Sequence, residues 1–296
     1  MAWVAVTEPV HPDALAMLAG HRVTYGPDVT AADLEAALGA CDAVLVRTRP
    51  LRAVAGTWRI VSKHGVGVDN LDLPALRAAG VRVTNTPGAN AAAVAEQAFL
   101  LMLALARDLD GQRAGRAGPT PGLEGRRLTV VGYGATGRRV AALALAFGMA
   151  VTVVAPRLAA APAGCTLAPL AVALPATDVV SLHCPLTAET AGLIDAAALA
   201  ALPPGAVVVN TARGGLIDEG ALAVALAQGR LGGAALDVTA VEPLPHDHPL
   251  RSAPRLILTP HAAALTQGAF RRMGMEAARN ILDFLGGGLR PEVIRA

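Results

Sequence analysis

"LTVVGYGATGRRVAALALAFG", residues 128–148, decides how the rest of this 296-residue chain is read. An apolar run leads straight into Gly132-x-Gly134-x-x-Gly137, and a stretch of good helix formers follows. Each glycine has its own physical reason to be there. Gly132 permits a tight turn, Gly134 lets the backbone approach a pyrophosphate, and Gly137 lets the helix pack against the strand. The helix N-terminus then presents free N–H groups, at the positive end of a dipole, to phosphate. A ligand-free strand-to-helix turn is the plainer reading of three glycines. The strand before and the helix after favour a dinucleotide site.

The next strand is "VTVV", and it runs into Ala155, Pro156 and Arg157. A dinucleotide fold usually places an acid at this point to bond the ribose 2′-OH of NAD. No Asp or Glu lies between Gly137 and Asp178. A carboxylate would repel a 2′-phosphate, so its absence, with Arg157 two residues on, favours NADP over NAD as cofactor while leaving both open. Arg138 and Arg139 add positive field at the start of the helix.

Working outward, short apolar runs alternate with helical stretches. Runs at 3–6, 43–46, 59–62 and 81–84 enclose helical segments at 12–19, 31–39 and 72–79. Residues 90–109 lack Gly and Pro and predict one long helix. "GQRAGRAGPTPGLEG", 111–125, predicts a loop or hinge. A second strand–helix series occupies 127–131, 135–147, 150–155, 178–183, 195–202, 206–210, 218–228, 232–238 and 255–259. A last helix, 265–285, stops at Gly286–Gly288. Apolar strands covered on both faces and separated by helices predict an α/β protein with doubly wound parallel sheets. The length suits two domains.

Composition excludes several classes. Hydrophobic residues at 53% against 16% charged rule out a disordered chain. A net charge of +2, no run of like charges and 3% aromatics leave no nucleic-acid surface. The most apolar stretch, "AFLLMLALA" at 98–106, is flanked by charges and is too short to cross a bilayer. "MAWVAVTEPV" lacks the basic start and apolar core of a signal peptide. Cys41, Cys165 and Cys184 form no C-x-x-C pair, and "HDHP" at 246–249 lies in a Pro-rich loop. The expectation is a cytoplasmic protein with reduced thiols, no metal, and no catalytic role for His11, His21 or His64.

Three later segments each place a polar residue just past an apolar strand: "VVVNTARGGLIDEGAL" (207–222), "GAALDVTAVEPLP" (233–245) and "LILTPHAAALT" (256–266). In an open α/β sheet, ligands bind at that edge. The residues are Arg213, Glu242 and His261. With these segments in order, the chain resembles the D-isomer-specific 2-hydroxyacid dehydrogenases, in the branch of hydroxypyruvate/glyoxylate reductase and phosphoglycerate dehydrogenase. "KHGVGVDNLDLPALRAAGVRVTNTPGANAAAVAEQAFLLMLALAR" (63–107) and "SLHCPLTAETAGLI" (181–194) extend the resemblance over nearly the whole chain.

The resemblance implies an oxidoreductase that interconverts a small 2-keto acid and its D-2-hydroxy acid, glyoxylate or hydroxypyruvate first and 3-phosphoglycerate as the alternative. The residue types suit that chemistry. Arg213 can hold the carboxylate and carbonyl through its planar fork. His261 can act as acid in reduction and base in oxidation. Glu242 on the other ring nitrogen would favour the protonated ring. The resemblance further implies that the N–H groups of Val66 and Gly67 face the substrate carboxylate, that Arg47 reaches a distal anion, that the N–H groups of Ala135 and Thr136 face the pyrophosphate, and that His183, Thr211, Ala212 and Asp237 contact the cofactor. It implies a flavodoxin-like substrate domain (1–91 plus 267–296), a Rossmann dinucleotide-binding domain (92–266), a cleft closed through linker helices, and a homodimer.

Four features depart from the family pattern. The second-strand acid is missing. Ala135 stands where relatives often carry a basic residue. The stretch between "VRTRPL" (46–51) and "RIVSKHG" (59–65), and the loop 111–125, are short. The chain ends soon after its last helix, so no amino-acid-sensing domain is expected. The Glu242–His261 pair argues against the formate dehydrogenase branch, which resembles a Gln–His arrangement. A dinucleotide-sensing binding protein without turnover is the alternative of another class.

Overall fold

The computed structural model describes residues 1–51 and 56–290. Residues 52–55, within the shortened stretch, and 291–296, the end of the expected substrate domain, lie outside the described residues. The chain forms two compact units, one of Met1–Asn90 and the chain from Leu265 on, the other of Ala91–Ala264.

In the first unit, β1 (Trp3–Val6), α1 (Pro12–Met17), β2 (Arg22–Tyr25), α2 (Ala31–Leu38), β3 (Ala43–Val46), β4 (Ile60–Lys63), α3 (Leu73–Ala78) and β5 (Arg82–Thr84) follow in order. The strands make one parallel sheet in the order β2-β1-β3-β4-β5, the flavodoxin-like arrangement. Side chains alternate between its faces. Val4, Val6, Ala43, Leu45 and Ile60 pack one way and Ala5, Val44, Val46, Val61 and Val83 the other.

The second unit holds α4 (Ala91–Ala106), α5 (Leu109–Arg113), β6 (Arg127–Val131), α6 (Ala135–Ala146), β7 (Ala150–Val154), β8 (Cys165–Leu167), α7 (Leu170–Ala173), β9 (Val179–Leu182), α8 (Ala196–Ala201), β10 (Val207–Asn210), α9 (Glu219–Ala227), β11 (Gly233–Leu236) and β12 (Leu256–Leu258). Its parallel sheet runs β12-β11-β10-β9-β6-β7-β8. Residues of α4 and α6 join the core on one face; residues of α8 and α9 join it on the other. The last helix, α10 (Gln267–Leu285), belongs to the first unit. Its stripe of Ala269, Met273, Ala277, Ala278 and Ile281 is buried, and the last three close the core over β1, β3 and β4.

Both units match the α/β expectation, with local differences. β2 and β8 were not expected. Both are short edge strands with no fully buried residue, so neither carries the apolar run that reveals a central strand. The long helix expected over 90–109 ends at Ala106. Asp108 takes a left-handed conformation (φ 47°), and α5 then starts afresh at Leu109 and runs to Arg113, into the expected loop.

Candidate active site

Arg213, Glu242 and His261 leave the C-terminal ends of β10, β11 and β12, three neighbours in one sheet. Asn210 shapes the first exit. Its side chain accepts from the Ala212 N–H (3.0 Å) and donates to the Arg213 carbonyl (2.8 Å). Gly214 then presses on the next loop, since a Cβ there would stand 1.9 Å from the Thr239 carbonyl carbon. No side chain fits, so the loops carrying Arg213 and Glu242 meet backbone to backbone. The Arg213 guanidinium donates to the Ala212 carbonyl at 2.6 Å.

Asp237, 1% exposed, shapes the third exit. Its carboxylate accepts from the Thr259 hydroxyl and from the N–H groups of Ala262 and Ala263, both at 2.9 Å. The turn so gathered holds His261 at φ 53°, a costly conformation for a side chain with a Cβ. The His261 N–H adds a bond to the Asp237 carbonyl at 2.8 Å. Glu242 Oε1 accepts from the Thr239 N–H at 3.1 Å, and Oε2 lies 2.8 Å from His261 Nδ1. Nδ1 is thereby committed to the carboxylate, which leaves Nε2 to work on a ligand. The imidazole is half exposed, beside a pocket lined by Asp237, Thr239, Glu242, Leu258 and Thr259.

The chain order of this sheet reverses between β6 and β9, and open α/β sheets bind ligands outside the strand ends at such a point. The glycine turn sits there. Gly132 has φ 95°, and a Cβ on it would stand 2.6 Å from the Cys184 N–H nitrogen, on the loop after β9. A Cβ on Gly137 would stand 2.0 Å from the Gly132 carbonyl oxygen. Gly134, the N-cap of α6, has nothing within 4 Å of a Cβ position, and Ala135 and Thr136 open the helix.

Beside this open ground lie two buried polar atoms without a partner, His183 Nδ1 and Thr211 Oγ1. They follow β9 and β10. His183 Nε2 pairs with Ser181 Oγ at 2.8 Å, and burial pushes the imidazole pKa down to about 3, so the ring is neutral. Orphaned donors and acceptors at a strand edge are what an extended polar ligand would satisfy. Open space at Gly134 and these orphans fit a dinucleotide. Arg157 is exposed, two residues past half-buried Ala155. The structure brings it an acidic neighbour from outside the second strand, Glu189. The Glu189 carboxyl sits below its ordinary range, mainly through the Thr187 hydroxyl and in small part through the charge of Arg157.

Arg47, Val66 and Gly67 lie in the first unit, past β3 and β4. The loop of Arg47 is wrapped on Glu8, whose carboxylate accepts from the N–H groups of Arg47 (2.6 Å), Thr48 (2.7 Å) and Arg49 (3.1 Å) and from the Thr48 hydroxyl. Burial alone would raise the Glu8 pKa; these bonds outweigh it and hold it below the ordinary range. The Arg47 guanidinium lies 5.6 Å from the Phe270 ring. Val66 is exposed and Gly67 half-buried.

Other residues singled out by sequence find structural work. His248 of "HDHP" lies 3.4 Å from Glu219, which also accepts from the Ala240 N–H at 2.7 Å. Among the described residues no group of three or more His, Cys, Asp or Glu could hold a metal, and no helix is long and apolar enough to cross a membrane. Sequence reasoning passed over Glu8, Asn210 and Glu219. A carboxylate or amide that braces a loop has no spacing signature, because its partners are distant backbone groups.

Residues 99–263 match the family model described as D-isomer specific 2-hydroxyacid dehydrogenase, NAD binding domain. The chain is 38% identical to a D-3-phosphoglycerate dehydrogenase of Mycobacterium tuberculosis, over 98% of this chain and 58% of that protein. It thus spans little more than half the length of that relative. It is also 38% identical to a hydroxypyruvate reductase of Thermotoga maritima, over 77% of this chain and 78% of the relative. Among solved structures, the TT0316 protein from Thermus thermophilus superposes with a TM-score of 0.89 at 36% identity, over 99% of this chain and 100% of that one.

Proposed function

The chain belongs to the D-isomer-specific 2-hydroxyacid dehydrogenase family, and from that premise we propose that it reduces a small 2-keto acid, glyoxylate or hydroxypyruvate, to the D-2-hydroxy acid with NADP or NAD. The observation that carries this reading is the 2.8 Å contact between His261 Nδ1 and Glu242 Oε2 at the strand edge.

Gly132, Gly134 and Gly137, with the N–H groups of Ala135 and Thr136, would hold the pyrophosphate. His183, Thr211, Ala212 and Asp237 would line the nicotinamide side, and Arg157 would meet the ribose. When bound, the nicotinamide supplies the hydride. Val66, Gly67 and Arg213 would hold the substrate carboxylate, Arg213 would also polarise the carbonyl, and Arg47 would reach the distal group. His261 Nε2 would hand a proton to the carbonyl oxygen in reduction and take it back in oxidation. Glu242 keeps the ring oriented and offsets its positive charge while the proton is held.

NADP is the favoured cofactor, because no acid follows β7 and Arg157 does. Glu189 tempers that preference. The relatives named D-3-phosphoglycerate dehydrogenase support oxidation of 3-phosphoglycerate as the second reading, with Arg47 facing the phosphate. A homodimer is the proposed assembly. Leu100 on α4 and Phe147 after α6 leave apolar surface exposed, at 55% and 43%. The test is the loss of reduced-nicotinamide absorbance with glyoxylate and with hydroxypyruvate, using NADPH and NADH in parallel, beside oxidation of 3-phosphoglycerate. Turnover of glyoxylate to glycolate, or of hydroxypyruvate to D-glycerate, supports the reading. Turnover of 3-phosphoglycerate alone replaces it with the second.

A further inference from the structure

Two consecutive peptides of the turn after β4 are pinned from behind. The Gly65 carbonyl accepts from the Thr86 N–H at 3.0 Å, and the Gly65 N–H donates to Thr86 Oγ1 at 3.1 Å. The Val66 carbonyl accepts from Asn85 Nδ2 at 2.5 Å. Asn85 and Thr86 are 2% and 0% exposed, so both carbonyls point into the unit. Gly65, at φ 133°, has the backbone freedom this turn requires.

These peptides are trans. In a trans peptide the C=O and the following N–H share a plane and point in opposite directions. Fixing the Gly65 carbonyl therefore turns the Val66 N–H outward, and fixing the Val66 carbonyl turns the Gly67 N–H outward. Neither N–H has an acceptor among the described residues. Val66 is exposed at 41% and Gly67 is half-buried, so the turn lies at the surface of its unit. Successive outward N–H groups form a concave site for an anion. Asn85 is itself braced, because its carbonyl accepts from the buried side chain of Asn280 on α10 at 2.9 Å. Its Oδ1 has no partner, so the bond to Val66 is what the Asn85 side chain contributes.

We propose that Asn85 is a positioning residue for the substrate: it aims the Gly67 N–H, beside the Val66 N–H set by Thr86, at the carboxylate of the keto acid. This rests on the 2-keto-acid reading given above. Asn85 does not touch the substrate.

The test compares kcat/KM for glyoxylate and for ethyl glyoxylate, which keeps the reacting carbonyl but lacks the charge. The wild-type protein prefers the acid. In Asn85→Ala that preference falls by about tenfold or more through a higher KM for the acid, while the ester and the cofactor Kd change by less than about twofold. Equal losses on acid and ester, or an unchanged preference, overturn the proposal. If Asn85→Ala does not fold, Asn85→Ser, too short to reach Val66, is held to the same criterion. A wild-type protein that reduces both equally overturns the carboxylate role of the turn. If the wild type reduces neither but reduces hydroxypyruvate, the same comparison with the same criterion is made on hydroxypyruvate and its ethyl ester; a wild type that reduces no keto acid overturns the functional reading, and the inference falls with it.

Discussion

His261 stands in the left-handed region because Asp237 gathers the turn around it, and its ring points Nδ1 at Glu242. At this scale charge and burial set the chemistry. Glu189 shares the field of Arg157, so Glu189→Gln should tighten NADPH by a few-fold and leave NADH nearly unchanged, as read by fluorescence titration. A larger gain for NADH contradicts the placement of the 2′-phosphate near Arg157. Burial, with the charges of Arg47 and Lys63 adding to it, pushes buried His64 down to about 4 from 6.5. The native ring is neutral, whereas the unfolded ring takes a proton near 6.5. Stability is therefore lost as pH falls from 6.5 to about 4, by about 3 kcal/mol in all. His64→Gln keeps a donor for the Phe270 carbonyl but cannot titrate, so its melting temperature should fall less steeply across that window. An unchanged slope contradicts the assignment.

The glycine turn separates folding from binding at the scale of elements. A Cβ on Gly137 collides with the Gly132 carbonyl, whereas one on Gly134 meets open space. Gly137→Ala should push α6 off β6 and lower stability by roughly 2 kcal/mol or more. Gly134→Ala should melt near wild type yet bind dinucleotide at least about tenfold more weakly, because the methyl stands where the pyrophosphate approaches. Calorimetry with cofactor titration reads both; equal melting losses contradict this division. The central strands and most helices were legible because apolar runs such as "VVVN" and "AVLV" need cover on two faces. The edge strands β2 and β8 were not, since half-exposed residues carry no such pattern. Gly132, Arg213, Glu242 and His261 were legible as motifs. Asn85, Glu8 and Asp237's hold on the 259–263 turn were not, because a brace acts on backbone that only the fold brings near.

The whole molecule divides its polar residues between two parallel sheets, each carrying its candidate ligand groups past strand C-termini. If a homodimer forms through the apolar surface of α4 and the end of α6, Leu100→Arg with Phe147→Arg should halve the sedimenting mass to 29.9 kDa at micromolar concentration. A wild-type-like mass places the interface elsewhere. The acid–base pair is tested most directly by turnover of glyoxylate and hydroxypyruvate in wild type and His261→Asn, with the cofactor Kd measured on both. The account predicts an active wild type and a variant slowed by roughly a hundredfold to ten-thousandfold with unchanged cofactor affinity. A variant that binds cofactor and reduces the keto acid at near wild-type rate contradicts it.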